Sequence, residues 1–140
     1  MTALQRLPSL LGRFSALAAT ALLVGGLCPA FAEIGGVYCG AALSGGRMVE
    51  VRTKLSRQAD GLLGGVYEFA DDGGNTAGEL REYVGQAESP RTLVWRDKYG
   101  SGLAIFEFSE SGDAFDGLWG IAMERPMFPW SGKRCDAPAV

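Results

Sequence analysis

An all-β domain, a single antiparallel up-and-down barrel of about eight strands, is the fold this sequence predicts. Three observations lead there. Apolar and polar residues alternate with a period of two, glycine-rich turns recur at short intervals, and two cysteines stand near opposite ends of the domain. A β-sandwich is the alternative that the same pattern allows.

The alternation is plainest at Val49, Val51, Thr53 and Leu55, which interleave with Glu50, Arg52 and Lys54. That spacing puts one face of a strand on a core and the other in water. Phe115, Gly117, Trp119, Ile121 and Met123 form a second such stripe, and Ala104, Phe106 and Phe108 a third. No window of helical length sustains a 3.6-residue period.

The turns fall between these runs, at Ser44-Gly45-Gly46, Asp60-Gly61, Asp71-Asp72-Gly73-Gly74-Asn75, Tyr99-Gly100-Ser101-Gly102 and Ser111-Gly112-Asp113. Gly and Asn there supply the positive φ of tight hairpins. Eight strands are expected, over 36–43, 47–57, 62–70, 76–85, 91–98, 103–110, 114–123 and 129–135. An internal echo accompanies them. Tyr67-Glu68-Phe69-Ala70-Asp71-Asp72-Gly73 matches Phe106-Glu107-Phe108-Ser109-Glu110-Ser111-Gly112, and Gly78 and Leu80 match Gly117 and Trp119, all at one constant offset. A simple meander would produce such an echo, and so would the general likeness of β-hairpins.

The N-terminus reads as a secretory signal peptide. Arg6 and Arg13 lie in a start without acidic residues, an apolar run extends from Phe14 to Leu27, and Pro29-Ala30-Phe31-Ala32 offers small residues to a signal peptidase. The apolar run is shorter than the roughly 20 residues of a membrane helix. Leu27 before Cys28 does not suit a lipobox. Cleavage after Ala32 leaves a single domain, 33–140, in the periplasm or outside the cell. There eleven basic residues stand against sixteen acidic ones, a balance that argues against nucleic acid and anionic lipid as partners. Arginine outnumbers lysine, and Gly and Ala are abundant, a bias of GC-rich coding DNA that suggests a bacterial source.

Cys39 and Cys135 are the two cysteines left after cleavage. In an oxidising compartment they are expected to form one disulfide. Such a bond joins the first strand to the last, which are neighbours in a closed barrel.

The chain has no histidine, which removes a Ser-His-Asp triad, a histidine base and histidine metal ligation. No cofactor and no metal site is expected. Asp71 to Asn75 offers oxygen ligands but lacks the spacing of an EF-hand loop, and is read as a hairpin turn. In a strand, Trp95, Asp97 and Tyr99 share one face. If it points inward, Asp97 is a buried carboxylate that needs a partner, Arg134 or a ligand. Otherwise Trp95 fills the core and Asp97 sits at the rim. Between the last two strands, Pro126 and Pro129 bracket Met127 and Phe128, followed by Trp130. That segment is either a lid over one end of the barrel or an exposed contact surface.

Gly36-Val37-Tyr38, Leu63-Gly64-Gly65-Val66-Tyr67, and Phe108-Ser109-Glu110-Ser111 followed by Phe115-Asp116-Gly117 resemble, in this order, the strands of small up-and-down barrels of the avidin and calycin type. The resemblance implies the barrel and no binding residues, since the polar groups that hold biotin in that family have no counterparts here. Secreted bacterial inhibitors of lysozymes and proteases also use small disulfide-closed barrels.

The functional expectation is an exported, non-catalytic binding protein of the bacterial envelope that takes a small apolar ligand or a protein partner. The candidate contact residues are Trp95, Asp97, Tyr99, Phe106, Trp119, Met127, Phe128 and Trp130. An inhibitor of a periplasmic or foreign enzyme is one alternative. A carboxylate-dependent hydrolase is another, and requires two acidic side chains converging in a cleft. A carrier predicts an open, aromatic-lined interior. An interaction protein predicts a solid core with an exposed loop around 127–130.

Overall fold

The structure, a computed structural model, describes residues 33–83 and 90–136. The expected signal peptide at 1–32 and the end of the fourth expected strand, at 84 and 85, lie outside the described residues. Eight strands follow in order: β1 (Gly36–Ser44), β2 (Arg47–Arg57), β3 (Leu63–Asp71), β4 (Gly74–Glu82), β5 (Arg91–Asp97), β6 (Gly100–Phe108), β7 (Ala114–Trp119) and β8 (Phe128–Arg134). Each pairs antiparallel with the next, and β8 returns to β1, so the sheet closes into a barrel. Closure leaves no unpaired edge. Among the described residues no helix is long and apolar enough to cross a membrane.

The seam between β1 and β8 sets Tyr38 opposite Arg134 and Cys39 opposite Lys133. Just past β8, Cys135 bonds Cys39, with Cα atoms 5.7 Å apart. The disulfide lies on the outer face, and the Cys135 amide donates to the Val37 carbonyl at 2.8 Å. It ties the chain's two sheet termini together where the barrel closes.

The interior explains why the chain is rich in glycine. Across several strand pairs an inward aromatic faces an inward glycine: Tyr67 faces Gly78, Trp95 faces Gly102, Phe106 faces Gly117 and Phe115 faces Gly132. A Cβ at Gly117 would stand 2.6 Å from Phe106 Cδ1 and 2.8 Å from the Ile105 carbonyl oxygen. A narrow barrel filled by side chains alternates large and small residues for this reason. The echo at residues 67–78 and 106–117 is therefore two copies of one packing unit.

Two expected boundaries move, the first because glycine was read as a turn signal where it serves packing. The β5–β6 hairpin turns at Lys98-Tyr99, and Gly102 lies inside β6. There, absence of a side chain lets the Gly120 segment and the Trp95 indole approach. At the other boundary β7 ends at Trp119, not at residue 123. After Trp119 the chain turns back along β6, with the Gly120 amide on Leu103 and the Ala122 amide on Ser101, and Ala122 takes a positive φ of 53°. Ile121 and Met123 thereby leave the expected inward stripe and are exposed.

The barrel ends differ. At the closed end, near the β6–β7 turn, the start of β1 and the end of β8, Phe106 stacks on Phe115 with ring centres 4.2 Å apart. Tyr38 and Phe108 pack edge-on around them. Aromatic pairs of this kind add about 0.5–1.5 kcal/mol beyond the area they bury. The Tyr38 hydroxyl donates to the Gly112 carbonyl at 2.7 Å, and Arg134 lies over the Tyr38 ring while pairing with Asp113 at 3.1 Å. Beside them Glu82 and Arg91 form a buried ion pair at 2.7 Å, and Glu82 also accepts from the Leu63 amide at 2.8 Å. Among the described residues no aromatic plug of this kind occupies the opposite end.

Candidate functional site

The open end of the barrel holds a cavity of about 500 Å³, framed by the β1–β2, β3–β4 and β5–β6 turns. Its floor is Trp130. That ring is buried between Phe106 of the packed half, 5.1 Å away, and Tyr67, 4.9 Å away. Trp95 and Trp119 stand edge to face on one wall, centres 5.5 Å apart, and Tyr67 stacks on Phe69 on another. Between the walls the inward residues are small, among them Ala42 and Val49, which is why the space stays unfilled.

All three indole N–H groups are satisfied within the protein. Trp95 donates to the Gly120 carbonyl at 2.8 Å, Trp119 to the Leu43 carbonyl at 3.0 Å and Trp130 to Thr53 Oγ1 at 3.2 Å. These bonds fix the rings and occupy their donors, so the wall they line offers apolar area rather than N–H groups.

Polar groups gather at the mouth in two matching sets. In the β3–β4 hairpin, Asp71 Oδ1 accepts the Gly73 amide at 3.1 Å. In the β5–β6 hairpin, Asp97 Oδ1 accepts the Tyr99 amide at 2.8 Å. Each second oxygen takes a tyrosine hydroxyl from the other hairpin's strand or turn: Tyr99 donates to Asp71 Oδ2 at 2.7 Å, and Tyr67 to Asp97 Oδ2 at 2.8 Å. Asp71 also receives the Thr76 hydroxyl and the Lys98 ammonium, the latter at 3.1 Å. The Thr76 bond above all, then those from Tyr99 and Lys98, hold the Asp71 carboxyl well below the usual carboxylate range, and Asp71 in turn raises Lys98. Burial, and next the bond to Asp97, push the Tyr67 phenol well above its ordinary value, so it remains a donor.

Five of the expected contact residues line this cavity: Trp95, Asp97, Tyr99, Trp119 and Trp130. Trp95 is buried and Asp97 half-buried beside the mouth, and the partner of Asp97 is Tyr67. Arg134 lies at the closed end with Asp113. Tyr99 does not share the inward face. It sits in the turn, two-thirds exposed, and reaches Asp71 through its hydroxyl. Phe106 is part of the packed half. Phe128 opens β8, half-buried against Trp119 at 5.0 Å, while Met127 is exposed. Neither Met127 nor Phe128 lines the cavity, so this segment is not a lid across it.

Sequence reasoning missed Tyr67, Phe69, Asp71 and Lys98 as mouth residues. The signal was available in the period of two, since Tyr67, Phe69 and Asp71 repeat the aromatic-then-carboxylate order of Trp95 and Asp97. Asp71 was absorbed instead into a turn. The Asp71–Asn75 segment is indeed the β3–β4 hairpin, with Asp71's carboxylate taken by Thr76, Tyr99 and Lys98. Among the described residues no group of three or more His, Cys, Asp or Glu is placed to hold a metal ion.

Compared with known proteins, the chain matches no family model, no curated protein and no solved structure.

Proposed function

We propose that this protein binds one small molecule with a flat apolar body in the open end of its barrel, and that it does so without transforming it. The observation that carries this reading is the cavity of about 500 Å³ with three ring-locked tryptophans around it. That volume lies within the range of roughly 300–1,000 Å³ that suits a drug-sized ligand. The remaining interior is packed, so the ligand enters from the mouth and stops at Trp130.

Catalysis by paired carboxylates fits less well. Asp71 and Asp97 do meet around Tyr99, but a general acid needs a carboxyl whose proton is held more tightly than usual. Asp71 is shifted the opposite way.

Export to the periplasm or beyond, as the N-terminal sequence suggests, would make the protein a carrier or sensor in the envelope. The rival role is contact with a protein partner. It is supported by the loop after β7, where Ile121, Met123 and Met127 are exposed together within a few residues.

The deciding experiment is titration of the neutral probe N-phenyl-1-naphthylamine, followed by its fluorescence, into the purified protein and into Ala42→Trp. Saturable binding of one probe per chain, lost when the new indole occupies the cavity, is expected. Absence of saturable binding, or binding indifferent to Ala42→Trp, overturns the cavity reading and shifts weight to the exposed loop.

A further inference from the structure

The two carboxylates at the mouth have matching hydrogen bonds but different charge balance. Asp71 carries the Lys98 ammonium. Asp97, held by the same kinds of amide and tyrosine donors, forms no ion pair among the described residues. Around the cavity as a whole, Asp71, Asp72 and Asp97 face two cations, Arg47 and Lys98. Arg47 is engaged by Asp72 at 2.6 Å and Lys98 by Asp71. The uncompensated negative charge thus resides on Asp97.

Its position is also particular. Asp97 follows Trp95 by two residues on the same strand face, about 6.7 Å nearer the mouth at the usual strand rise. One of its oxygens is oriented by the Tyr67 hydroxyl and the other by the Tyr99 amide. An ionised carboxylate has about four acceptor positions, so each oxygen retains room for a further donor. The same cavity wall holds the rings of Trp95, Trp119 and Tyr67, ring types that favour a nearby cation.

Resting on the cavity reading above, we propose that the ligand class is an amphiphilic amine: a cationic ammonium that pairs with Asp97, on an apolar or aromatic body that fills the space down to Trp130. An anionic head group would meet an unneutralised carboxylate at the mouth. A neutral body would bind the walls and leave Asp97 without its counter-charge. Tyr67 is a positioning residue, since it orients the carboxylate from within the barrel wall.

The test uses three probes with one body: 2-naphthylethylamine, 2-naphthylethanol and 2-naphthylacetate, titrated calorimetrically into the purified protein at neutral pH. The amine is expected to bind about tenfold or more tighter than the alcohol, as befits a charge-assisted hydrogen bond in a half-buried site, and the carboxylate weakest of all. In Asp97→Asn, whose amide oxygen can still accept the Tyr99 amide while its NH2 donates to the Tyr67 hydroxyl oxygen, the amine should lose its preference and bind no tighter than the alcohol. An alcohol that binds as well as the amine, or an amine preference that survives Asp97→Asn, overturns the assignment and leaves the cavity reading standing. Failure of all three probes overturns the cavity reading itself. Should Asp97→Asn not fold, salt decides with the unaltered protein. Amine affinity that falls with sodium chloride while alcohol affinity holds supports the pair with Asp97, and equal responses overturn it.

Discussion

Tyr67 on β3 and Gly78 on β4 are directly opposed, and the tyrosine ring occupies the space where a side chain at 78 would begin. The ring cannot simply swing aside. Trp130 lies edge-on at 4.9 Å, Phe69 stacks at 6.2 Å, and the hydroxyl is held by Asp97. Gly78→Ala should therefore destabilise the protein by about 1–3 kcal/mol, as overpacking a filled interior does. Tyr67→Ala alone should cost about 3–5 kcal/mol, the usual penalty for truncating a buried aromatic. In the double variant the added methyl meets no ring, so the two costs should fall short of additive. Urea unfolding of the two single variants and the double variant measures this, and strict additivity would refute the contact as the cause.

Much of the fold was legible because it rests on local periodicity. The run from Val49 to Leu55 lies in β2, with Val51, Thr53 and Leu55 buried as the alternation requires and Val49 half-buried near the mouth. The disulfide was expected from the two cysteines near the ends of the domain, and that pairing favoured a closed barrel over a sandwich without deciding it. Glycine misled the reading because it serves two purposes with one letter. Gly100 takes a positive φ of 143° beside the hairpin turn, whereas Gly102 makes room for Trp95 and the chain at Gly120. Only the register separates these roles. The mouth was half legible for a related reason. Strand alternation places Asp97 above Trp95, but the pairing of Asp97 with Tyr67 joins residues thirty positions apart on different strands. No local pattern encodes that distance.

The Cys39–Cys135 bond should be a large stabilising element. It closes a loop of 96 residues, for which chain entropy alone gives up to about 4.7 kcal/mol. The β1–β8 ladder and the Arg134 contacts remain without it, so Cys39→Ser/Cys135→Ser is expected to keep the barrel while its unfolding midpoint falls. Circular dichroism against denaturant, with and without reductant, reports this. An unchanged midpoint on reduction would show that the β1–β8 ladder suffices by itself.

Asp71 should make stability depend on pH in the acid range. Its folded carboxyl is held below the ordinary value near 3.9 by Thr76 first, then by Tyr99 and Lys98. The folded state therefore binds fewer protons than the unfolded chain between the two values. The stabilisation is complete above about pH 4–5 and is lost as pH falls through the depressed folded range. Carboxyl-carbon NMR titration should place the Asp71 midpoint below the ordinary value, and Thr76→Val should move it upward. A midpoint at the ordinary value in the unaltered protein would remove these bonds from the account.

The contrast between the two ends of the barrel yields the sharpest structural prediction. Ala42 and Gly117 are both inward residues without bulk, and each adjoins Trp130 across a strand pair. Around Gly117 the space is taken: Phe106 Cδ1, the Ile105 carbonyl and the Trp130 carbonyl would all lie within 2.9 Å of an added Cβ. Two of those three are backbone atoms and yield little. Ala42 instead borders the cavity. Gly117→Ala should therefore cost about 1–3 kcal/mol through strain. The far larger change Ala42→Phe should be neutral within about 1 kcal/mol, or stabilising, because it fills space and buries new apolar area. Paired thermal melts would measure the difference directly. If Ala42→Phe proved as damaging as Gly117→Ala, the upper barrel would have to be packed like the lower, and no volume would remain there for a ligand.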